Sequence, residues 1–348
     1  MKEKYYLGFI SQSHMVNEMR SPIWHKHLPV YTPDHPVIKE YIFEQSFGSH
    51  TFKGAADNQL KQLGYKVKSR LELLSLCDIV ISLKPTDEWK YMQPNSTLVG
   101  WFNHLNHPLN ESRNINFLDL ENIRIFDDGR YQKLLYKNAY VAGRCGVSQT
   151  LDKLSEFEPS SPAITQRKLA VVLGYGNIGK GAARELLRQG IEKVIVFTQR
   201  PPTEVSDKLD LIEYRQMQYS NDDIYEISDQ GLKQPLIDCI LREADIIVNA
   251  KIPSNDCPKW RFVPENKFFQ LKSNMAFIDP IHRKGHGADF VEVTSFGEPL
   301  KKICKATHSI WFNGCNSMPN YQADYASYVI SEALLKNFDT IVEAAAKK

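Results

Sequence analysis

The sequence predicts an α/β protein made of two doubly wound parallel-sheet domains. Three observations favour this class: short apolar runs recur along the whole chain, helical patterns separate them, and a glycine turn joins one run to a helix. The runs lack strict alternation of apolar and polar residues, which is typical of strands buried on both faces. Strands that alternate with helices favour parallel sheets with right-handed crossovers.

The strands of the first domain are predicted from its apolar runs. They cover residues 5–10, 78–83, 97–102 and 115–119. A helix is predicted over residues 57–63, where it ends at Gly64. A C-terminal helix over residues 321–346 carries apolar and aromatic positions at near-helical intervals, and we expect it to pack back on the first domain.

The glycine turn follows a predicted strand over residues 169–173 and opens a helix that stops at Gly190. Its G-x-G-x-x-G pattern suits a tight bend, close approach of a pyrophosphate and close packing of helix on strand. The pattern predicts a Rossmann-like dinucleotide-binding unit. Its candidate cofactor-binding residues are Gly174, Gly176, Asn177, Ile178 and Gly179. The alternative is a chance glycine turn in an ordinary α/β sheet.

The residues after the second strand of this unit bear on the choice of cofactor. Thr198, Gln199 and Arg200 stand where an acid would bind the ribose of NAD. Arg200 can pair with the 2′-phosphate of NADP, so the sequence predicts NADPH, with NAD and a solvated Arg200 as the alternative. Apolar runs over residues 244–249 and 275–279 resemble the fourth and fifth strands of this unit. Lys251 and Asp279, at the ends of these runs, are further cofactor-binding candidates.

Composition and charge favour a protein that acts on small molecules. The formal net charge of +2 gives no electrostatic case for nucleic acid. No apolar run is long enough to span a bilayer and the N-terminus lacks a secretory pattern, so we expect a cytoplasmic protein. Scattered cysteines and histidines predict no metal site. The sequence does not determine the oligomeric state, and a homo-oligomer is one possibility.

Two polar residues follow neighbouring strands of the first domain. Lys84 comes directly after the run at 78–83, and His104 lies two residues beyond the run at 97–102. Ligands gather at the carboxyl ends of parallel strands, and a lysine with a histidine suits proton transfer beside a hydride step. Alone, Lys84 could be a surface lysine and His104 a loop residue.

Short motifs in a fixed order carry a resemblance that spans nearly the whole chain. They are the glycine turn, Glu18-Met19-Arg20, Ser82-Leu83-Lys84-Pro85, Trp101-Phe102-Asn103-His104, Phe117-Leu118-Asp119-Leu120-Glu121, Asp127-Asp128-Gly129-Arg130, Tyr140-Val141-Ala142-Gly143 and Asn316-Ser317-Met318-Pro319. The chain resembles the alanine dehydrogenase and lysine-forming saccharopine dehydrogenase family. In length, and in lacking an acid after the second strand, it is similar to a smaller branch, the N5-(carboxyethyl)ornithine synthases.

The resemblance implies an amino-acid dehydrogenase with its active site in an interdomain cleft. The substrate domain would comprise residues 1–140 and 306–348, and the Rossmann domain residues 141–305. By the family pattern, Arg20 would clamp a substrate carboxylate, Lys84 would bind the oxo acid or move protons, and His104 would be the other acid/base group.

Two departures bear on the substrate. The family's D-x-x-x-D-x-G pattern becomes Asp279-Pro280-Ile281-His282-Arg283-Lys284-Gly285, so an arginine replaces the second acid. Arg283 could recognise another carboxylate on an opine-type product, or the cofactor. Ser317 displaces the asparagine that the family places before Met-Pro.

The sequence therefore predicts an NADPH-dependent oxidoreductase that reduces the imine formed between a 2-oxo acid, such as pyruvate, and the amine of an amino acid. One alternative is an alanine dehydrogenase or saccharopine dehydrogenase-type enzyme. A rival of another class is a catalytically silent, nucleotide-responsive binding protein, since fold alone never proves activity.

Overall fold

The computed structural model describes residues 4–15, 17–30, 35–48, 56–102, 114–220, 223–228, 230–251, 261–281, 287–290 and 292–347. The chain divides into two compact units. The first comprises Met1–Asn138 and Gln322–Lys348, and the second comprises Ala139–Tyr321. No helix among the described residues is both long enough and apolar enough to cross a membrane.

The first unit contains a parallel sheet flanked by helices. Its elements before the second unit are β1 (Tyr5–Phe9), β2 (Ile38–Glu44), α1 (Ala56–Gln62), β3 (Lys66–Lys68), α2 (Arg70–Leu76), β4 (Ile79–Ile81), β5 (Thr97–Gly100), β6 (Asn116–Asp119), β7 (Arg124–Asp127) and β8 (Arg130–Lys133). The sheet runs in the order β3-β2-β1-β4-β5-β6, with all neighbours parallel, and β7 and β8 form a separate hairpin. This order reverses between β1 and β4, as in a doubly wound fold.

Apolar side chains of the sheet and of the chain's last helices form the core of the first unit. The predicted C-terminal helix is two helices, α6 (Ala323–Lys336) and α7 (Phe338–Ala346). Asn337 separates them, and its side-chain amide donates to the Ala333 carbonyl at 2.9 Å. Ile330 and Leu334 of α6, with Ile341 of α7, pack in the core, as the sequence predicts.

The second unit is also built on a doubly wound sheet. Its elements, taken from the helix that enters it, are α3 (Tyr136–Phe157), α4 (Pro162–Thr165), β9 (Leu169–Leu173), α5 (Asn177–Arg188), β10 (Lys193–Thr198), β11 (Ile212–Ser220), β12 (Asp223–Ile227), β13 (Lys233–Pro235), β14 (Ile246–Asn249), β15 (Arg261–Val263), β16 (Ala276–Ile278), β17 (Gly287–Ala288), β18 (Lys301–Lys305) and β19 (His308–Asn313). Among the described residues, the large sheet has the order β13-β12-β11-β10-β9-β14-β16-β19-β18.

The large sheet is mixed. Its central strands, from β11 to β19, pair in parallel, whereas β12, β13 and β18 pair antiparallel at the two edges. The two-domain α/β fold predicted from the sequence is confirmed, with these antiparallel edges added. The domain boundary predicted after residue 305 differs from the observed division, because β18 and β19 form a hairpin in the same sheet.

Candidate functional site

Lys84 lies where the strand order of the first sheet reverses. It follows β4, the neighbour of β1, and its carbonyl accepts a hydrogen bond from the Ser13 hydroxyl of the loop after β1. The crevice at such a reversal is where ligands bind in doubly wound sheets. Lys84 is only 8% exposed, so it is not a surface lysine.

Glu18 brings Lys84 and Arg20 together in one buried cluster. The Nε and Nη2 atoms of Arg20 donate to the two Glu18 carboxylate oxygens at 2.7 and 2.6 Å. The Lys84 ammonium lies 3.4 Å from Glu18 Oε2. Glu18 and Arg20 are 0% and 2% exposed. The structure therefore places two of the residues predicted from the sequence side by side, on a carboxylate that the sequence reasoning gave no role.

The Glu18 carboxyl group is held in its ionised form. Burial raises its pKa, but the charge and hydrogen bonds of Arg20 outweigh that effect, and the charge of Lys84 adds to them. The resulting pKa is about 2, against an ordinary value of 4.5. Glu18 is therefore a fixed negative charge between two cations near neutral pH.

A second group of charges fixes the loop that carries Glu18. Arg70 at the start of α2 pairs with Glu44 at the end of β2, with 2.7 Å between Nε and Oε1. Arg70 also donates to the Gln12 carbonyl, and the Gln12 side-chain amide donates to the Glu18 carbonyl at 2.5 Å. The position of the Glu18 backbone thus depends on contacts at the ends of two strands.

The remaining face of Arg20 contacts an aromatic ring and an amide. Its guanidinium carbon lies 5.2 Å from the centre of the Trp101 indole, within the range of a cation–π contact. Its Nη1 donates to Asn138 Oδ1 at 3.3 Å. Trp101 directly follows β5, and its backbone N–H donates to the Leu83 carbonyl at 2.9 Å. Trp101 therefore belongs to the same set of strand ends as Lys84.

The glycine turn of the second unit is a tight bend that requires glycine at two of its positions. Gly174 has φ of +101°, which favours glycine, and a Cβ there would lie 3.0 Å from the Ala250 carbonyl oxygen. A Cβ on Gly179 would lie 2.0 Å from the Gly174 carbonyl oxygen, so only glycine lets the helix approach the strand. Around Gly176 a Cβ would meet nothing within 4 Å.

Helix α5 starts at Asn177 with no side chain capping it. The first N–H groups of a helix have no partner within the helix, and together with the helix dipole they attract phosphate. Asn177 and Ile178 occupy this first turn, beside the open space at Gly176. The five glycine-turn candidates therefore lie together, as the sequence predicts.

A hydrogen bond joins Gln199, which follows β10, to Lys251, which follows β14. The Lys251 ammonium donates to Gln199 Oε1 at 2.7 Å, and the Gln199 carbonyl accepts from Gln216 at 3.2 Å. Thr198 is buried, while Arg200 is exposed and its backbone N–H lies 3.4 Å from the Thr198 hydroxyl. Gln199 thus has two cationic neighbours: Arg200 follows it in the sequence, and the Lys251 ammonium contacts its side chain.

Tyr175, the residue between the first two glycines, anchors the segment after β10. Its hydroxyl donates to the Asp207 carbonyl at 2.9 Å and accepts from the Tyr214 hydroxyl at 2.8 Å. Lys180 of α5 pairs with the Asp207 carboxylate. Sequence reasoning missed this cluster, because Asp207 lies in a polar loop and reaches the turn only through tertiary structure.

Asp279 follows β16 and is fully buried. Its carboxylate accepts from the Asn249 side-chain amide at 3.1 Å and from the Ile281 backbone N–H at 3.3 Å. Gly287 packs against both side chains, because a Cβ there would lie 3.1 Å from Asp279 Oδ2 and 3.3 Å from Asn249 Nδ2. The structure thus places Asp279 at the strand ends, tied to the end of β14.

His104 and Arg283 lie outside the described residues. Of the proposed proton-handling pair, the structure therefore describes Lys84 but not His104. Within the part of the chain that the structure describes, no group of three or more His, Cys, Asp or Glu side chains could hold a metal ion.

The chain is similar in sequence to two curated proteins, both named N(5)-(carboxyethyl)ornithine synthase. One, from Lactococcus lactis subsp. lactis (strain IL1403), is 29% identical over 164 residues, which are 41% of this chain and 49% of that protein. The other, from Lactococcus lactis subsp. lactis, is 27% identical over 164 residues, which are 41% and 48% of the two chains. The matched region spans about half the length of these relatives. No protein-family model matches the chain.

Solved structures share the fold. An L-alanine dehydrogenase superposes with a TM-score of 0.71 at 18% identity, covering 97% of this chain and 90% of the other. A transhydrogenase from Sinorhizobium meliloti superposes with a TM-score of 0.70 at 15% identity, covering 97% and 94%. The comparisons confirm the resemblance to alanine dehydrogenase-like proteins that the sequence motifs indicate.

We predict that Glu18→Gln destabilises the protein by about 3 to 5 kcal/mol at pH 7, because it leaves two buried cations without their counter-ion. A carboxyl group whose folded pKa is lowered stabilises the fold above its unfolded pKa, and the effect is lost as pH falls through the folded pKa. The difference from the wild type should therefore shrink between pH 4.5 and about 2. Urea unfolding followed by tryptophan fluorescence measures it.

The matched control is Glu343→Gln, which removes the charge of an exposed glutamate in the same unit. It should change the free energy of unfolding by less than about 0.5 kcal/mol at any of these pH values. Equal effects of the two substitutions, or a Glu18→Gln effect that does not depend on pH, would contradict the assigned role of the buried carboxylate.

Proposed function

We propose that this alanine dehydrogenase-like protein is an NADPH-dependent oxidoreductase that joins a 2-oxo acid to the amine of an amino acid. The observation that carries the proposal is the buried cluster of Glu18, Arg20 and Lys84, in which two cations share one carboxylate at the strand ends of the first sheet. Such a cluster suits a small carboxylate substrate and a proton-transfer group. The glycine turn of the second unit supplies a matching cofactor site.

The residues of the glycine turn fit a dinucleotide. Gly176 leaves the space that a pyrophosphate needs, and the first turn of α5 has no side-chain cap. Arg200 and Lys251 would bind the 2′-phosphate of NADP, and neither Thr198 nor Gln199 brings the carboxylate that would repel it. Asp279, at the end of β16, is the further cofactor-binding candidate. When bound, NADPH supplies the hydride.

The proposed reaction forms one C–N bond. The amine nitrogen adds to the keto carbon of the oxo acid, water leaves to give a C=N bond, and a hydride with a proton reduces that bond to a secondary amine. Lys84 and His104 would carry the protons that the loss of water and the reduction require. Arg20, held by Glu18, would bind the substrate carboxylate through its remaining guanidinium N–H groups. The low exposure of the cluster would exclude water and strengthen these contacts.

The test is NADPH oxidation with pyruvate, 2-oxoglutarate or glyoxylate, each combined with ammonia or with a panel of amino acids that includes ornithine and lysine. We expect oxidation that depends on both an oxo acid and an amino acid. Turnover with ammonia alone would favour an alanine dehydrogenase-type reaction, which the fold comparison makes the second candidate. Oxidation of a saccharopine-like secondary amine would favour a saccharopine dehydrogenase-type enzyme. If the protein binds NADPH but turns over none of these substrates, the result would favour a catalytically silent, nucleotide-responsive binding protein.

We predict that the wild type prefers NADPH and that Arg200→Asp reverses the preference. The substitution removes a charge-assisted hydrogen bond to the 2′-phosphate and adds a charge that repels it. NADPH affinity should fall about 10- to 100-fold, as the loss of such a bond implies. Calorimetric titration with both cofactors at matched salt measures the ratio, and Arg242→Asp, at an exposed arginine of the same unit, should leave it unchanged. Wild-type affinity for NADH equal to that for NADPH would refute the assignment.

We predict that Lys84 and His104 act as one proton-handling unit. Lys84→Ala and His104→Ala should each lower kcat at least about 100-fold, which is typical of a lost acid/base group. The double variant should be little worse than either single one. Arg20→Ala should chiefly raise KM for the oxo acid. Steady-state kinetics with NADPH measures all four variants.

Lys90→Ala, at an exposed lysine of the same unit, is the control and should keep wild-type kcat. All the active-site variants should bind NADPH normally, since the proposed cofactor site lies in the other unit. Near-normal kcat in either single variant would overturn the mechanism. Additive losses in the double variant would show that the two residues act separately.

A further inference from the structure

Trp101 presents a buried donor that has no acceptor. Its side chain is 6% exposed, and its indole Nε1 has no hydrogen-bond partner among the described residues. A buried Trp N–H usually finds a partner, and leaving one unpaired costs about 1 to 3 kcal/mol. A donor kept in this state calls for an explanation, and a bound group that supplies the acceptor is one.

The charges beside Trp101 indicate what that bound group is. The Arg20 guanidinium lies 5.2 Å from the indole centre, and the formal charges of Glu18, Arg20 and Lys84 sum to +1. An unpaired N–H on a ring that contacts a net positive charge suits an anion with at least one free oxygen. A carboxylate is planar, carries one negative charge and accepts from two directions, so it matches both features.

A second indole, that of Trp311, has a similar unpaired donor in a different charge environment. Trp311 in β19 is also buried, and its Nε1 also has no hydrogen-bond partner in the part of the chain that the structure describes. The Lys302 ammonium lies 5.1 Å from its ring. Lys302 is paired with Glu158 at 2.9 Å, so the formal charges beside Trp311 sum to zero. Trp311 therefore shares the unpaired donor with Trp101 but not the buried positive charge.

We propose that Trp101 is a carboxylate-binding and specificity-determining residue, whose indole N–H donates to the carboxylate of the 2-oxo acid beside Arg20. The assignment rests on the proposed function. A site built to donate to a substrate group discriminates against analogues that lack it, because the donor then stays unpaired. Trp101 thus selects oxo acids over simple aldehydes and ketones that lack the carboxylate.

The kinetic test is Trp101→Phe, which removes the N–H and keeps an aromatic ring. We expect KM for pyruvate to rise about 10- to 100-fold, as the loss of a hydrogen bond to a charged group implies, with kcat within about threefold of the wild type. The affinity for NADPH should not change. Trp101→His, which keeps a ring N–H, should recover part of the loss. Trp311→Phe is the matched control and should keep the wild-type KM.

A binding test separates this inference from the proposed reaction. Oxamate, an unreactive isostere of pyruvate, is titrated by calorimetry into the wild type and both Phe variants in the presence of NADPH. Only Trp101→Phe should bind it more weakly. If the wild type reduces oxo acids while Trp101→Phe keeps the wild-type KM and oxamate affinity, the inference is overturned and the proposed function stands. If the wild type reduces none of them, the proposed function fails, and the oxamate titration still decides the role of Trp101.

A spectroscopic test does not depend on how well Trp101→Phe folds. The chain has five tryptophans, so ¹⁵N-labelled wild type gives five indole N–H resonances. That of Trp101 is assigned by elimination with Phe variants of the other four. It should shift when oxamate is added and that of Trp311 should not. A Trp101 resonance that stays in place at saturating oxamate, or a wild type that does not bind oxamate, would overturn the inference.

Discussion

The Glu18 carboxylate holds the Arg20 guanidinium and the Lys84 ammonium in one buried cluster, and the polar groups of the first unit's site are arranged around it. Without it, two like charges would repel each other in surroundings that screen them poorly. A buried ion pair adds little net stability, since desolvation offsets much of its attraction. Its main consequence is geometric: two long cationic side chains stay at the strand ends instead of extending into water.

In the second unit, close backbone contacts at glycines hold the start of helix α5 in place. A Cβ on Gly181 would lie 2.0 Å from the Tyr140 carbonyl oxygen, and one on Gly143 would lie 1.9 Å from the Ile178 carbonyl oxygen. Helices α3 and α5 therefore cross with their backbones in direct contact. This crossing, together with the contact of Gly179 on the turn, fixes where α5 begins. The N–H groups proposed to meet the pyrophosphate are thus positioned by glycines that themselves touch no ligand.

The sequence predicted the buried strands and the glycine turn well, because continuous apolar runs such as β9 and β14 report burial directly. It missed the edge strands β13 and β18, whose polar residues carry no such pattern, and it joined two helices that Asn337 separates by a local hydrogen bond. Lys84 was found because it directly follows a strand. Glu18 was assigned no function from the sequence, because a glutamate two residues from an arginine in a loop is normally expected to be solvated. Only the tertiary structure shows that both side chains are buried.

The charges of the first site bear on the second substrate. Glu18, Arg20 and Lys84 sum to +1, so one bound carboxylate neutralises the cluster and a second would leave a buried negative charge in excess. An oxo acid brings one carboxylate, and an amino acid brings another. An amino acid that reacts through its α-amine therefore needs a further cation outside this cluster. Arg283, an arginine where the resemblance implies an acid, is the sequence-based prediction for a group that recognises a further carboxylate.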